Sequence, residues 1–272
     1  MKPLSYRSIF ISDVHLGTRD CRAEFLVDFL ESTQCETLYL VGDIIDLWAM
    51  RRSVHWPPAH TRVLQLLFEK AAAGCDVIYI PGNHDELMRD FVGTEFNGVR
   101  ILRDAEHVTH DGRRFFVSHG DEFDTFVRHN GLLRVVGDGI YPVLLAANRW
   151  FNGLRRRFGR PYWSLSSFIK SKVGNARRYM DKYEAAVARS ASSQEYDGHI
   201  CGHIHKAGIV SRDGILYCND GDWVEHCTAL VEDLDGRLQL LHWADHKRIE
   251  QVNEGMDVEA ALIPLMALSV KR

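Results

Sequence analysis

Asp76-Val77-Ile78-Tyr79-Ile80-Pro81-Gly82-Asn83-His84-Asp85 joins an apolar run of strand length to a cluster of polar, metal-competent side chains. The run has the length and the β-branched and aromatic content of a buried strand, and Pro81-Gly82 ends it. Working outward, the same design recurs. Thr37-Leu38-Tyr39-Leu40-Val41 leads into Gly42-Asp43, and Ser8-Ile9-Phe10-Ile11-Ser12 into Asp13-Val14-His15. Downstream, Arg114-Phe115-Phe116-Val117-Ser118 leads into His119-Gly120-Asp121, and Gly198-His199-Ile200-Cys201 into Gly202-His203-Ile204-His205.

Helical spacing fills the gaps in the first half. Phe25, Leu26, Phe29 and Leu30 predict a helix over 22–32, and Val63, Leu66 and Leu67 predict another over about 60–73, stopped by Gly74. Strands alternating with helices indicate an α/β layered core. Hairpin turns are expected at Arg212-Asp213-Gly214 and Leu234-Asp235-Gly236. Between the fourth and fifth clusters the pattern from about 123 to 190 is helical. We read it as a cap inserted into one domain spanning 1–245, followed by a tail at 246–272.

In α/β sheets, groups at the carboxyl ends of strands converge although sequence separates them. Carboxylates suit hard divalent ions, and imidazoles suit Mn, Fe and Zn. Members of D-x-H and H-x-H lie on one side of an extended segment, so each pair can face one centre. Gly42, Gly82, Gly120 and Gly202 are expected to let the backbone turn sharply there. The set Asp13, His15, Asp43, Asn83, His119, His203 and His205 exceeds the needs of one ion and suits two, with Asp43 as a bridge. Two ions activate water and neutralise charge on a phosphoryl group. A lone D-x-H is usually a turn and a lone H-x-H usually structural; five clusters, each after an apolar strand, are neither. The other nine histidines, at 55, 60, 107, 110, 129, 199, 226, 242 and 246, read as surface or structural.

These blocks resemble the calcineurin-like metallophosphoesterase superfamily, whose pattern is D-x-H, G-D, G-N-H-[DE], H-G and G-H-x-H. The resemblance covers about residues 8 to 245. It implies a double β-sandwich flanked by helices and a dinuclear centre, with Mn expected and Fe or Zn as alternatives. By the same resemblance Asp13, His15, Asp43 and His205 hold one ion. Asp43, Asn83, His119 and His203 hold the other. His84 contacts the phosphoryl group and protonates the leaving oxygen, and Asp85 orients His84. Gly42-Asp43-Ile44-Ile45-Asp46-Leu47-Trp48 is similar to the branch containing UDP-2,3-diacylglucosamine pyrophosphohydrolase, which releases UMP and an acyl-sugar phosphate in lipid A synthesis. That likeness adds Asp46 and Trp48 as substrate contacts. The branch typically has arginine where this chain has His84, which implies a paralogue of it.

The chain has 272 residues, 46% hydrophobic and 26% charged, with a net charge of −4, an ordinary balance for a globular protein. The charge is unevenly spread. Residues 141–180 carry nine basic residues (Arg149, Arg155, Arg156, Arg157, Arg160, Lys170, Lys172, Arg177 and Arg178) and no acid. Taking these nine from the total of 33 leaves 24 basic against 37 acidic residues elsewhere. Trp150, Phe151, Phe158, Trp163 and Phe168 interleave with them. Basic, aromatic-rich helices suit anionic membrane surfaces and a phosphorylated head group bearing an acyl tail. A solvated basic face is the plainer alternative, and nucleic acid the least favoured, given the acidic remainder. Arg149, Arg157 and Lys170 in this segment, Asp124, Arg128 and Asn130 before it, and Asn219 and Asp222 in Asn219-Asp220-Gly221-Asp222-Trp223 are candidate substrate contacts.

Six cysteines without a C-x-x-C pair, no apolar core near the amino terminus and no apolar run of ~18 residues predict a cytoplasmic protein with reduced thiols. It could lie on the inner face of the cell membrane. Three functions are open: a hydrolase of a lipid-linked phosphoanhydride or phosphodiester, a soluble phosphodiesterase or phosphatase acting on nucleotides, and a non-catalytic scaffold with a metal site.

Overall fold

In the computed structural model the described residues are 3–124 and 174–244, together with 150, 151, 155 and 157. The strands are β1 (Leu4–Ile11), β2 (Thr33–Val41), β3 (Asp76–Ile80), β4 (Glu95–Phe96), β5 (Val99–Ile101), β6 (Ala105–Val108), β7 (Arg114–Val117), β8 (Gly198–Cys201), β9 (Gly208–Arg212), β10 (Ile215–Asn219), β11 (Thr228–Glu232) and β12 (Leu238–His242). The helices are α1 (Ala23–Ser32), α2 (Leu47–Met50), α3 (Pro58–Ala72) and α4 (Gly174–Ser193).

The strands form two sheets, ordered β12-β11-β1-β2-β3-β5-β4 and β6-β7-β8-β10-β9. The centre of each is parallel: β1, β2, β3 and β5 in one, β7, β8 and β10 in the other. Parallel strands place all their carboxyl ends on one edge, so this topology gathers the polar clusters.

Side-chain alternation along β1 explains the layering. Phe10 packs with Tyr39, Ile78, Phe115, Ile200 and Leu230 in a core between the sheets. Its neighbours Ile9 and Ile11 face the opposite way, toward Leu26 and Phe29 of α1 and Val63 and Leu66 of α3. On the far side, Tyr183 and Val187 of α4 pack on Cys201 and Tyr217 of the second sheet. The result is a double β-sandwich with helices on both outer faces, as the resemblance implied.

Both hairpins form where the glycine-containing turns were placed. The strands β4, β5 and β6 were not foreseen: they have two to four residues, too few for an alternation to register. Among the described residues no helix is long and apolar enough to cross a membrane. The tail from 246 and most of the basic insert lie outside the described residues.

Candidate metal centre

The five clusters meet at the carboxyl edge of the sandwich. Loop 13–16 continues the pairing of β1 with β2 past the strand ends, through Asp13 N–H to Gly42 O at 3.0 Å, Val14 N–H to Asp43 O at 3.0 Å and Leu16 N–H to Ile44 O at 2.9 Å. Asp13 and Asp43 are thereby brought side by side. From the second sheet, His203 N–H donates to Asp13 Oδ2 at 2.9 Å. His119 lies 3.4 Å from Asp43 through Nε2 and 3.3 Å from Asn83 Oδ1.

The backbone that aims these side chains is not extended. Asp13, His15, Asp43, His203 and His205 all have positive φ, between 50° and 68°. A non-glycine residue costs of order 1–2 kcal/mol in that region, and such residues cluster at functional sites. The D-x-H and H-x-H pairs therefore share a centre through left-handed turns, correcting the expectation of an extended segment. The glycine expectation is also corrected in part. Gly42 and Gly120 adopt positive φ, whereas Gly82 and Gly202 are required for space: a Cβ would run into Asp43 at the first and Ser12 at the second.

Three triads among the described residues bring one ligand atom per residue within 4.8 Å of the others: Asp13 with His15 and His205, Asp13 with Asp43 and His119, and His15 with Asp46 and His84. Asp13 Oδ1 and His15 Nε2 are buried and make no hydrogen bond among the described residues. They stand 3.9 Å apart, and Asp13 Oδ1 is 3.1 Å from His205 Nε2. Buried polar atoms ordinarily have partners, and these converge on one point, so the donor set fits a divalent cation.

Neighbouring groups fix the imidazoles. His119 Nδ1 donates to Val41 O at 2.8 Å; a carbonyl only accepts, so the proton sits on Nδ1 and Nε2 offers its lone pair. His15 Nδ1 is bonded to Asp46 Oδ2 at 2.9 Å, which turns Nε2 toward Asp13 and Asp43. Burial alone would depress the His15 pKa, but the bond to Asp46 and the charges of Asp43, Asp46 and Asp13 raise it to about 9. Burial likewise opposes the ionised form of Asp43, yet His119 and His15 hold its carboxyl well below the usual range.

Two expected roles change hands. Asp85 does not serve His84. It is fully buried, and its carboxylate accepts from Gly82 N–H at 2.6 Å, Ile44 N–H at 2.9 Å, Asp43 N–H at 3.3 Å and the Tyr79 hydroxyl. The partner of His84 is Asp46, whose Oδ1 lies 3.0 Å from His84 Nδ1 while Oδ2 holds His15. Asp46 is itself buried and also caps α2 through Ala49 N–H at 2.7 Å, so it positions imidazoles and does not meet substrate. Trp48 is on the rim, 41% exposed, its ring 4.9 Å from that of His84.

Asn219 and Asp222 are corrected as well. Both are fully buried. Asn219 donates to Gly202 O at 2.6 Å and accepts from Gly221 N–H, holding the histidine loop. Asp222 accepts from the N–H groups of Val224, Glu225 and His226 and from the His226 ring. Asp124 bonds to His203 Nε2 at 3.0 Å. Arg157 is exposed, and Arg128, Asn130, Arg149 and Lys170 lie outside the described residues.

Sequence reasoning missed Ser12, Asp220 and Arg89. Ser12 Oγ lies 2.5 Å from Asp13 Oδ2 and 2.6 Å from Asp220 Oδ1, gripping the oxygen of Asp13 that faces away from the triad. Arg89 Nη2 spans both oxygens of Asp121 at 2.9 Å. The acidic run at 219–222 was the only signal for Asp220, and nothing local pointed to the other two.

Residues 6–207 match the family pattern of the calcineurin-like phosphoesterases. The chain belongs to that family. It is a metal-dependent phosphoesterase, and divalent ions are its cofactors. The enzyme is 29% identical over 253 residues to the UDP-2,3-diacylglucosamine hydrolase of Porphyromonas gingivalis, covering 82% of this chain and 93% of that one. It is 25% identical over 247 residues to the hydrolase of the same name from Vibrio vulnificus, covering 84% and 95%. Among solved structures, a phosphoesterase from E. coli superposes with a TM-score of 0.41 at 14% identity, over 86% of this chain and 98% of that one.

Proposed function

We propose that the enzyme cleaves the pyrophosphate of a lipid-linked UDP-sugar such as UDP-2,3-diacylglucosamine, releasing UMP and an acyl-sugar phosphate. The observation that carries the reading is likeness to hydrolases of that name over 93% or more of their length, together with a converging ligand set. Asp13, His15, Asp43 and His205 hold one divalent ion; Asp43, Asn83, His119 and His203 hold the other, with manganese the expected metal. When bound, the ions supply activated water and neutralise phosphoryl charge.

The chain's own groups do the rest. His84 is partly exposed at the rim of the site with Nδ1 against Asp46, leaving its other ring nitrogen to meet a phosphoryl oxygen. An imidazole there can carry a proton to the leaving oxygen, which a guanidinium cannot. Trp48 offers an apolar wall beside it. We place the nine-cation insert, with Arg128, Asn130, Arg149, Arg157 and Lys170, over the lipid head group and against an anionic membrane face.

The test is UMP release by the Mn²⁺-loaded enzyme from UDP-2,3-diacylglucosamine carried in anionic or in neutral vesicles, with Asp43→Ala as control. Metal-dependent release, lost in the control and faster on anionic vesicles, is expected. Absence of release alongside hydrolysis of soluble nucleotide phosphodiesters would overturn the substrate assignment, and equal rates on both vesicles would overturn the membrane contact.

A further inference from the structure

Asp124 Oδ1 accepts two bonds, from the Tyr179 hydroxyl at 2.7 Å and from His203 Nε2 at 3.0 Å. An ionised carboxylate has no proton to give, so both partners donate. The proton of a neutral His203 ring is then on Nε2, and the lone pair is on Nδ1. The two metal-facing imidazoles described above are governed in the same way, His119 by the Val41 carbonyl and His15 by Asp46. Those holders come from the first sheet, from the last residue of β2 and from the loop that follows it. The holders of His203 come from the insertion: Asp124 stands near its start, in the loop that follows β7, and Tyr179 lies on α4 toward its end.

We propose that Asp124 and Tyr179 are positioning residues for His203, and that through them both ends of the insertion are tied to one metal-facing imidazole. The inference rests on the dinuclear reading of the site. Its geometry has independent support. Tyr183, one helical turn beyond Tyr179 and stacked with it at 6.4 Å between ring centroids, is fully buried. Its hydroxyl donates to Gly120 O at 2.9 Å. Two tyrosines on one face of α4 therefore grip the His119 loop, one at its backbone and one through Asp124. The consequence is a division of labour. His119 is oriented by the sandwich itself, whereas His203 is oriented by residues at the two ends of the insertion.

The experiment is calorimetric titration of the chelator-stripped full chain with Mn²⁺, with thermal melts to verify folding. The wild type should take up two equivalents. Asp124→Ala should weaken one of them ~10–100-fold and leave the other unchanged. Asp124→Asn, which keeps an acceptor oxygen, should recover part of that loss, and Tyr179→Phe should show a smaller loss at the same equivalent. Unchanged or tighter uptake by a folded Asp124→Ala protein would overturn the proposal. So would equal weakening of both equivalents together with a lowered melting temperature, the signature of a merely structural role. Two equivalents in the wild type with no selective loss would sink the tether alone; failure of the wild type to bind two ions would sink the dinuclear reading and the tether with it.

Discussion

Asp46 and Asp85 invite comparison. Each is a buried carboxylate a few residues beyond an apolar strand, and each follows a glycine and a residue expected to hold metal. Their surroundings differ. Asp85 is spent on backbone: the N–H groups of Asp43, Ile44, Ile45 and Gly82 and one hydroxyl converge on it, locking the turns after β2 and β3 together. Asp46 is spent chiefly on imidazoles, one on each oxygen, and those imidazoles face the site. The first carboxylate makes the loops exist; the second decides which way two rings turn. Spacing and residue type are the same kind of signal in both cases, and only the partners separate architecture from chemistry.

The largest effect should come from the architectural member. Asp85→Ala strands several buried donors, each costing ~1–3 kcal/mol, so stability should fall by about 3 kcal/mol, read as a lowered urea midpoint. A loss under about 1 kcal/mol would erase the distinction. Asp46→Asn keeps the volume and the α2 cap but no longer sets a full negative charge against both rings. It should weaken Mn²⁺ binding and turnover ~10–100-fold, with a urea midpoint near that of the wild type. A midpoint shift as large as that of Asp85→Ala, with metal affinity intact, would reverse the roles.

A smaller effect sharpens the same contrast among histidines. His199 is fully buried beside Ser118 at 2.9 Å, with no carboxylate on its ring among the described residues, and burial drives its pKa down to about 3. His15, equally enclosed but ringed by acids, goes the other way. For His199 the unfolded chain binds the proton near pH 6.5 and the folded chain only near pH 3. Between those values the unfolded state holds more protons, so stability is lost as pH falls through 6.5. His199→Phe should remove about 1.5 kcal/mol of the wild-type loss between pH 6.5 and 5, measured as the difference between the two unfolding curves. An identical pH dependence in the variant would mean that His199 is not held neutral.

Much of this was legible in sequence because it is local. The apolar runs at 37–41, 76–80 and 198–201 specify strands by their own composition, and β3 and β8 begin and end where those runs do. The helices α1 and α3 follow from four-residue apolar periodicity, and the hairpins from Asp-Gly turns. Strand ends carrying Asp, Asn and His predicted a metal-competent edge, since parallel strands share a carboxyl side.

The sequence by itself thus determined the strands, the turns and the set of side chains delivered to one edge, because each depends on residues a few positions apart. Only the tertiary structure decided what each polar group faces. Asp85 meets backbone from a loop 42 positions away. Asp124 meets His203 across 79 positions, and Ser12 meets Asp220 across 208. The left-handed backbone at Asp13, His15, Asp43, His203 and His205 is tolerated better by Asp and His than by most residues, but its use at five positions of one site is set by the loops that meet there. A hydrogen bond stabilises only the pair that folding brings within about 3 Å, and that choice is made by how the two sheets pack.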